Sequence, residues 1–182
     1  IIQNFVMTNR SSHYSPVAIV AHDAGGAEVI SSYVVQQSLN CNFCLDGPAL
    51  KIFKRKLGSI NLMPLDVVIQ QSDWMLCGTS WQSELEWEAI KLCKASDKKA
   101  IAFLDHWSNY RERFIRGGEV YLPIEIWVGD VQAKLLAEEV LPEVIIRQVE
   151  NPYFNDIKRE LAAIAVNNRK NKNEFNILFV SE

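Results

Sequence analysis

Two short turns hold the residues best suited to chemistry. The first is His22-Asp23-Ala24-Gly25-Gly26, which follows the apolar run Val17–Ala21. The second is Asp105-His106-Trp107, which follows Ala100–Leu104 and leads into Ser108-Asn109-Tyr110-Arg111. The chain has three histidines, and two of them sit in these turns, each beside an aspartate. A carboxylate next to an imidazole can tune it for proton transfer near neutral pH. Gly25 and Gly26 would let backbone N–H groups approach a ligand, and a helix N-terminus after them favours phosphate or carboxylate. The alternative is a tight turn that needs glycine for its conformation. Trp107 or Tyr110 could stack on a sugar or base ring, and Arg111, Arg113 and Arg116 could hold an anion. The alternative there is an ordinary surface loop that opens an amphipathic helix.

These turns are placed by an alternation of strand and helix patterns. Expected strands cover Val17–Ala21, Asn42–Leu45, Trp74–Cys77, Ala100–Leu104, Glu125–Val128 and Val144–Val149, with a short extended piece at Ser59–Met63. Expected helices cover Ala27–Ser38, Pro48–Leu57, Ser83–Ala95, Val131–Val140 and Asp156–Val166, with a turn or short helix at Pro64–Gln71. Proline opens the second helix and Gly58 closes it. About six strands joined by crossover helices predict a doubly wound, mainly parallel α/β sheet. In such a sheet the strand ends meet at one edge, where ligands bind. Four polar turns converge there: the two above, Gly78-Thr79-Ser80-Trp81, and Gly129-Asp130. The hydroxyls of Thr79 and Ser80 are ligand contacts or helix caps, and Ser83-Glu84-Leu85-Glu86 fits a capping box.

Other chemistries lack their signatures. The first turn is not G-x-G-x-x-G, and Asp46 is the nearest acidic residue to a ribose-binding position. There is no G-x-S-x-G elbow, no phosphate loop, and no carboxylate–histidine set with metal spacing, so neither a metal nor a cofactor is expected. Cys41-Asn-Phe-Cys44 has redox spacing but falls in a strand pattern without a second pair. The four cysteines therefore read as buried, reduced thiols of a cytoplasmic protein.

The 182 residues, 48% hydrophobic, suffice for one sizeable core, and the net charge of −3 argues against a broad nucleic-acid footprint. The basic run Lys51, Lys54, Arg55 and Lys56 is a solvated helix face or a ligand-steering patch. No apolar run approaches the roughly 20 residues of a membrane span, and Ile1–Met7 is too short for a signal peptide. Residues 1–15 are expected to be an irregular extension, with Met7 a possible natural start. Residues 16–166 form the domain, and the polar stretch 167–176 is a linker. Ile177-Leu-Phe-Val180 would then open a second domain, or add a strand to the same sheet.

Three pieces carry a family resemblance: Ala21-His22-Asp23-Ala24-Gly25-Gly26, Gly78-Thr79-Ser80 and Asn151-Pro152, with Ile177–Ser181 as the start of a further half. The chain resembles the N-terminal Rossmann-like half of GT-B type glycosyltransferases and of the related UDP-N-acetylglucosamine 2-epimerases. The resemblance implies an acceptor-side domain of a metal-independent enzyme of polysaccharide or cell-surface glycan synthesis. It implies a sugar or sugar-phosphate acceptor, a nucleotide-sugar donor held by a missing C-terminal domain, and room for peripheral membrane association. On that reading His22, Asp23, Asp105 and His106 are catalytic. Gly25, Gly26, Gly78, Thr79, Ser80, Trp107, Asn109 and Arg111 bind ligand. Two alternatives are 2-epimerase chemistry on the same fold and a non-catalytic module for a nucleotide or sugar phosphate.

Overall fold

The computed structural model describes residues 16–164. The expectations placed on the N-terminal extension, the linker, the strand at 177–180 and the last two residues of the final helix lie outside the described residues.

Six strands form one parallel sheet: β1 (Val17–Ala21), β2 (Cys41–Leu45), β3 (Trp74–Cys77), β4 (Lys99–Leu104), β7 (Glu125–Val128) and β8 (Ile145–Gln148), in the order β2-β1-β3-β4-β7-β8. Two-residue strands β5 (Ile115–Arg116) and β6 (Glu119–Val120) pair as a separate antiparallel hairpin. Helices α1 (Ala24–Gln37), α2 (Gly47–Leu57) and α6 (Pro152–Ala163) lie on one face; α3 (Leu65–Gln70), α4 (Leu85–Ala95) and α5 (Val131–Val140) lie on the other. This is a Rossmann-like α/β fold.

Parallel strands covered on both faces read as unbroken apolar runs rather than alternating ones. All five residues of β1 are buried, and they alternate between the two cores. Val17, Ile19 and Ala21 meet Val29, Ile30 and Phe53, whereas Ala18 and Val20 join Val68, Met75 and Ile90. The chain leaves β1 for β2 on one side and returns to β3 on the other. The carboxyl ends of β1 and β3 therefore flank the point where strand order reverses, the usual ligand crevice of such sheets.

Beyond shifts of one or two residues at other element ends, and an extended piece at 59–63 reduced to a single bridge between Leu62 and Phe43, three departures stand out. Helix α1 begins at Ala24, so Gly25 and Gly26 lie in its first turn, and neither has a positive φ. The glycines are not needed for a turn. Helix α6 begins at Pro152 rather than Asp156, because Asn151 caps it by accepting a hydrogen bond from the Tyr153 N–H (3.0 Å). The segment after Asp105 holds a 3-10 turn, Glu112–Phe114, and the small hairpin, rather than an amphipathic helix.

The basic run on α2 is also not a plain solvated face. Lys56 is largely buried and donates to the Glu28 carbonyl (3.0 Å) and to Ser32 Oγ (2.7 Å). It pairs with Glu28 (2.8 Å) and Asp156 (3.4 Å) as well. It thus joins α1, α2 and α6, and its partners are held below the usual carboxylate range against the cost of burial. Lys56→Met keeps the stem but strands these groups. It is expected to lower unfolding stability by about 2 kcal/mol, read as a lower urea midpoint at unchanged slope.

Candidate functional site

Three carboxylates meet at the β1/β3 reversal. Asp23 leaves the end of β1 as the N-cap residue of α1, but its side chain makes no capping hydrogen bond. Its Oδ1 is buried and without a hydrogen-bond partner. Burial, and then the nearby Asp105, raise its pKa above the ordinary value. Asp105 comes from the end of β4 and lies against Gly25, where any Cβ would fall on its carboxylate. Its Oδ1 has no hydrogen-bond partner either, and is 3.6 Å from the Arg113 guanidinium.

Glu86, in the first turn of α4, completes the set at 3% exposure. Its Oε1 accepts the His22 backbone N–H at 2.8 Å, 64 residues away in sequence. Its Oε2 is buried and unpartnered. Burial chiefly, with Asp23 adding, pushes its pKa up to about 7. The capping-box expectation for Glu86 therefore fails: Ser83 accepts from the Leu85 N–H at 3.1 Å, while Glu86 turns inward to hold the first turn. A signal existed in the sequence. Glu86 shares the spacing of Ala89, Ile90 and Cys93, the buried stripe of α4, so a carboxylate heads an apolar face.

Glycines let these elements approach. A Cβ on Gly26 would lie 3.2 Å from Gly78 Cα, so the first turn of α1 packs directly on the β3 turn. Gly47 combines a φ of +52° with a His22 ring that a Cβ would meet at 2.7 Å. Gly47→Ala is expected to cost about 2 kcal/mol through the left-handed backbone and the contact. It should also move the His22 ring, visible as a shifted imidazole resonance.

Asp23, Ser80, Asp105 and His106 line one cleft of about 380 Å³, with Trp81, Gln82 and Arg113, whereas His22 lies outside its lining, between Ser80 and Gly47. His22 Nδ1 lies 3.4 Å from Ser80 Oγ, and His106 Nδ1 lies 3.0 Å from Ser108 Oγ. Gly78 and Thr79 are buried behind this wall. Arg113 donates to the Thr79 carbonyl (2.8 Å), Thr79 Oγ1 (3.1 Å) and the Ser108 carbonyl (3.1 Å). Arg116 donates to the Ser80 carbonyl at 2.9 Å. These two arginines fasten the β3 turn to the segment after β4.

Several expected contacts are not brought together. Arg111 pairs with Glu143 (2.7 Å), away from the cleft. Asn109 has a φ of 55° and turns the chain, so that Arg113, four residues on, faces Asp105 instead. Trp107 lies in an adjoining hollow of about 170 Å³, where its Nε1 donates to Asp130 (3.1 Å). The anion cradle expected of Gly25 and Gly26 is taken by the chain's own Asp105, and Asp23 beside it would repel a second anion.

A wider hollow, about 670 Å³, lies at the opposite end of the sheet between Tyr33, Trp74 and Trp127. Its buried acid, Glu125, is neutralised by Lys99 (3.1 Å) and Arg147 (2.7 Å) and accepts from the Trp127 indole (2.7 Å). Among the described residues, no cluster of His, Cys, Asp and Glu is placed to hold a metal ion, and no helix is long and apolar enough to cross a membrane. Cys41 and Cys44 are free, and burial pushes the Cys41 thiol up to about 12, so neither is a ready thiolate.

No family model and no curated protein matches the chain. Among solved structures it is similar to a de novo designed Rossmann 2x3 protein studied by solution NMR. The two share 12% identity and a TM-score of 0.35, over 81% of this chain and 90% of that one. The class of fold is set by the strand order itself: a parallel Rossmann-like sheet with an acidic cleft at its reversal point.

Proposed function

We propose that this chain is the acceptor-side domain of a sugar-transferring enzyme, with Asp23 as the general base. The observation that supports this reading is the buried, unpartnered Asp23 oxygen beside Asp105 and Glu86. Burial and the Asp105 charge outweigh the opposing pull of Arg113, and a carboxylate raised in this way is a stronger base than a solvated one, which suits removal of a proton from a hydroxyl. Asp23 takes that proton as the hydroxyl oxygen attacks the anomeric carbon of the donor sugar and the bond to the nucleotide breaks, the nucleotide leaving with that bond's electron pair, while Ser80 and His106 orient neighbouring hydroxyls and His22 positions Ser80. A resident carboxylate at the α1 N-terminus disfavours a phosphate there, so the nucleotide-sugar donor belongs to another domain. Four free cysteines are in keeping with a reducing compartment, and on this reading the enzyme works in the cytoplasm.

The test uses the whole gene product, including whatever follows Glu182. It is incubated with a panel of nucleotide sugars and neutral sugar acceptors, and products are followed by mass spectrometry. The reading expects a glycosylated acceptor and a free nucleotide in equal amounts. Free UDP from UDP-N-acetylglucosamine without any acceptor would point to epimerase chemistry instead. Ligand binding with no turnover of any donor would leave a non-catalytic module.

A further inference from the structure

We propose that the carboxyl edge of the sheet is one extended groove for a linear oligosaccharide, read by the exposed rings of Trp81, Trp107 and Phe154. Among the described residues these are the only exposed Trp, Phe or Tyr side chains, at 50%, 64% and 58%. They come from three separate places: after β3, after β4 and in the first turn of α6. All three nevertheless line hollows of the same edge. Trp81 borders the acidic cleft, Trp107 the adjoining hollow of about 170 Å³, and Phe154 both that hollow and a third of about 420 Å³. The first two hollows share Asp105, and the last two share Gly129 and Asn151. The path therefore runs from the β1/β3 reversal to the end of β8.

Trp107 is held ready. Asp130 accepts from its indole N–H (3.1 Å) and at the same time caps α5 through the Ala133 N–H (2.8 Å). A ring fixed at its edge and open on its face has little freedom left to lose when another ring stacks on it. Sugar rings offer a flat C–H face to such a platform and hydroxyls around the rim. Groups between the platforms suit those hydroxyls: Asp105 and Asn151 in the shared walls, then Glu150 and Asn155 beyond.

Charge decides between the polymers that could use aromatic platforms. Single-stranded nucleic acid stacks on such rings but brings a phosphate at every step. Here Asp23, Asp105, Asp130 and Glu150 outnumber Arg113 and Lys158 along the path. Arg113 is already committed to the Thr79 and Ser108 carbonyls. An uncharged polyhydroxylated chain meets no such repulsion. This inference extends the acceptor reading from one sugar to several linked ones, and rests on that reading only for where transfer occurs.

The test titrates the 182-residue chain with cello-, malto- and chito-oligosaccharides from monomer to hexamer, read by tryptophan fluorescence and calorimetry. At least one ladder should gain about tenfold in affinity or more with length, the worth of one well-stacked ring. Trp107→Ala and Phe154→Ala should each remove about tenfold of the gain for long ligands. Circular dichroism checks that both variants fold. Failure of every ladder to bind, affinity independent of length, or equal binding of oligodeoxythymidine or a proline-rich peptide would overturn the groove. Length-independent binding with sugar transfer intact sinks the groove alone. Length-dependent binding with no transfer by the whole gene product sinks the acceptor reading alone.

Discussion

On the acceptor-domain proposal, replacing Asp23 by Asn is expected to lower turnover of the whole gene product by about 10²–10⁴, the usual worth of a positioned general base, and at the same time to make the fold more stable near neutral pH. The two effects have one cause. Asp23 is pushed above its ordinary pKa by burial and by Asp105. Its contribution to stability is therefore fully present below the unfolded pKa and lost as pH rises through the folded one. At neutral pH the ionised carboxylate burdens the fold, and a neutral amide of the same shape relieves it. A urea titration at pH 7 should give a higher midpoint for Asp23→Asn, beside the fall in turnover. Opposite signs for activity and stability mark a residue kept for chemistry rather than for folding. A variant that loses stability and keeps turnover would remove Asp23 from the role given to it.

Glu86→Gln should flatten the pH dependence of stability between about 4.5 and 7. The folded pKa is about 7 against an ordinary 4.5. The sign is that of any raised carboxyl: stability is full below pH 4.5 and is lost as pH rises toward 7. A rise of that size corresponds to about 3 kcal/mol at 1.36 kcal/mol per unit. Gln retains an acceptor for the His22 N–H, so the first turn keeps its anchor while the titration disappears. Glu28, Glu125 and Asp156 are lowered instead, chiefly through their lysine and arginine partners and hydrogen bonds from Ser32 and Trp127. Their stabilisation is lost as pH falls below about 4.5. The wild-type chain should thus be most stable near pH 4–5. Urea unfolding across pH 4–8 reads both slopes, and an unchanged slope above pH 5 in Glu86→Gln would contradict the burial argument.

The scaffold was the legible part. Val17–Ala21 and Trp74–Cys77 are unbroken apolar runs ended by polar turns, and both are parallel strands at their expected bounds. His22, Asp23, Ser80, Asp105 and His106 were all within reach of that reading, because a parallel sheet gathers its strand ends at one edge. Contacts between elements were harder to see. Gly25 looks like a turn residue, yet it serves to admit a carboxylate from 80 positions further along the chain. Arg111 and Arg113 are alternatives on one loop until the φ of 55° at Asn109 chooses between them. Lys56 carries the same sequence signature as its solvated neighbours, and only the approach of α1 and α6 makes it a buried link. Glu86 was hidden by a familiar capping pattern, although its place at the head of an apolar stripe gave it away.

The most direct measurement is a ¹³C titration of the Asp and Glu carboxyls of the 182-residue chain, repeated with Asp105→Asn. Glu86 should titrate near 7 and Asp23 above its ordinary value of 3.8, with Asp23 falling back when the Asp105 charge is removed. Ordinary titration of both groups, with no response of Asp23 to Asp105→Asn, would contradict a coupled acid–base centre at the β1/β3 reversal.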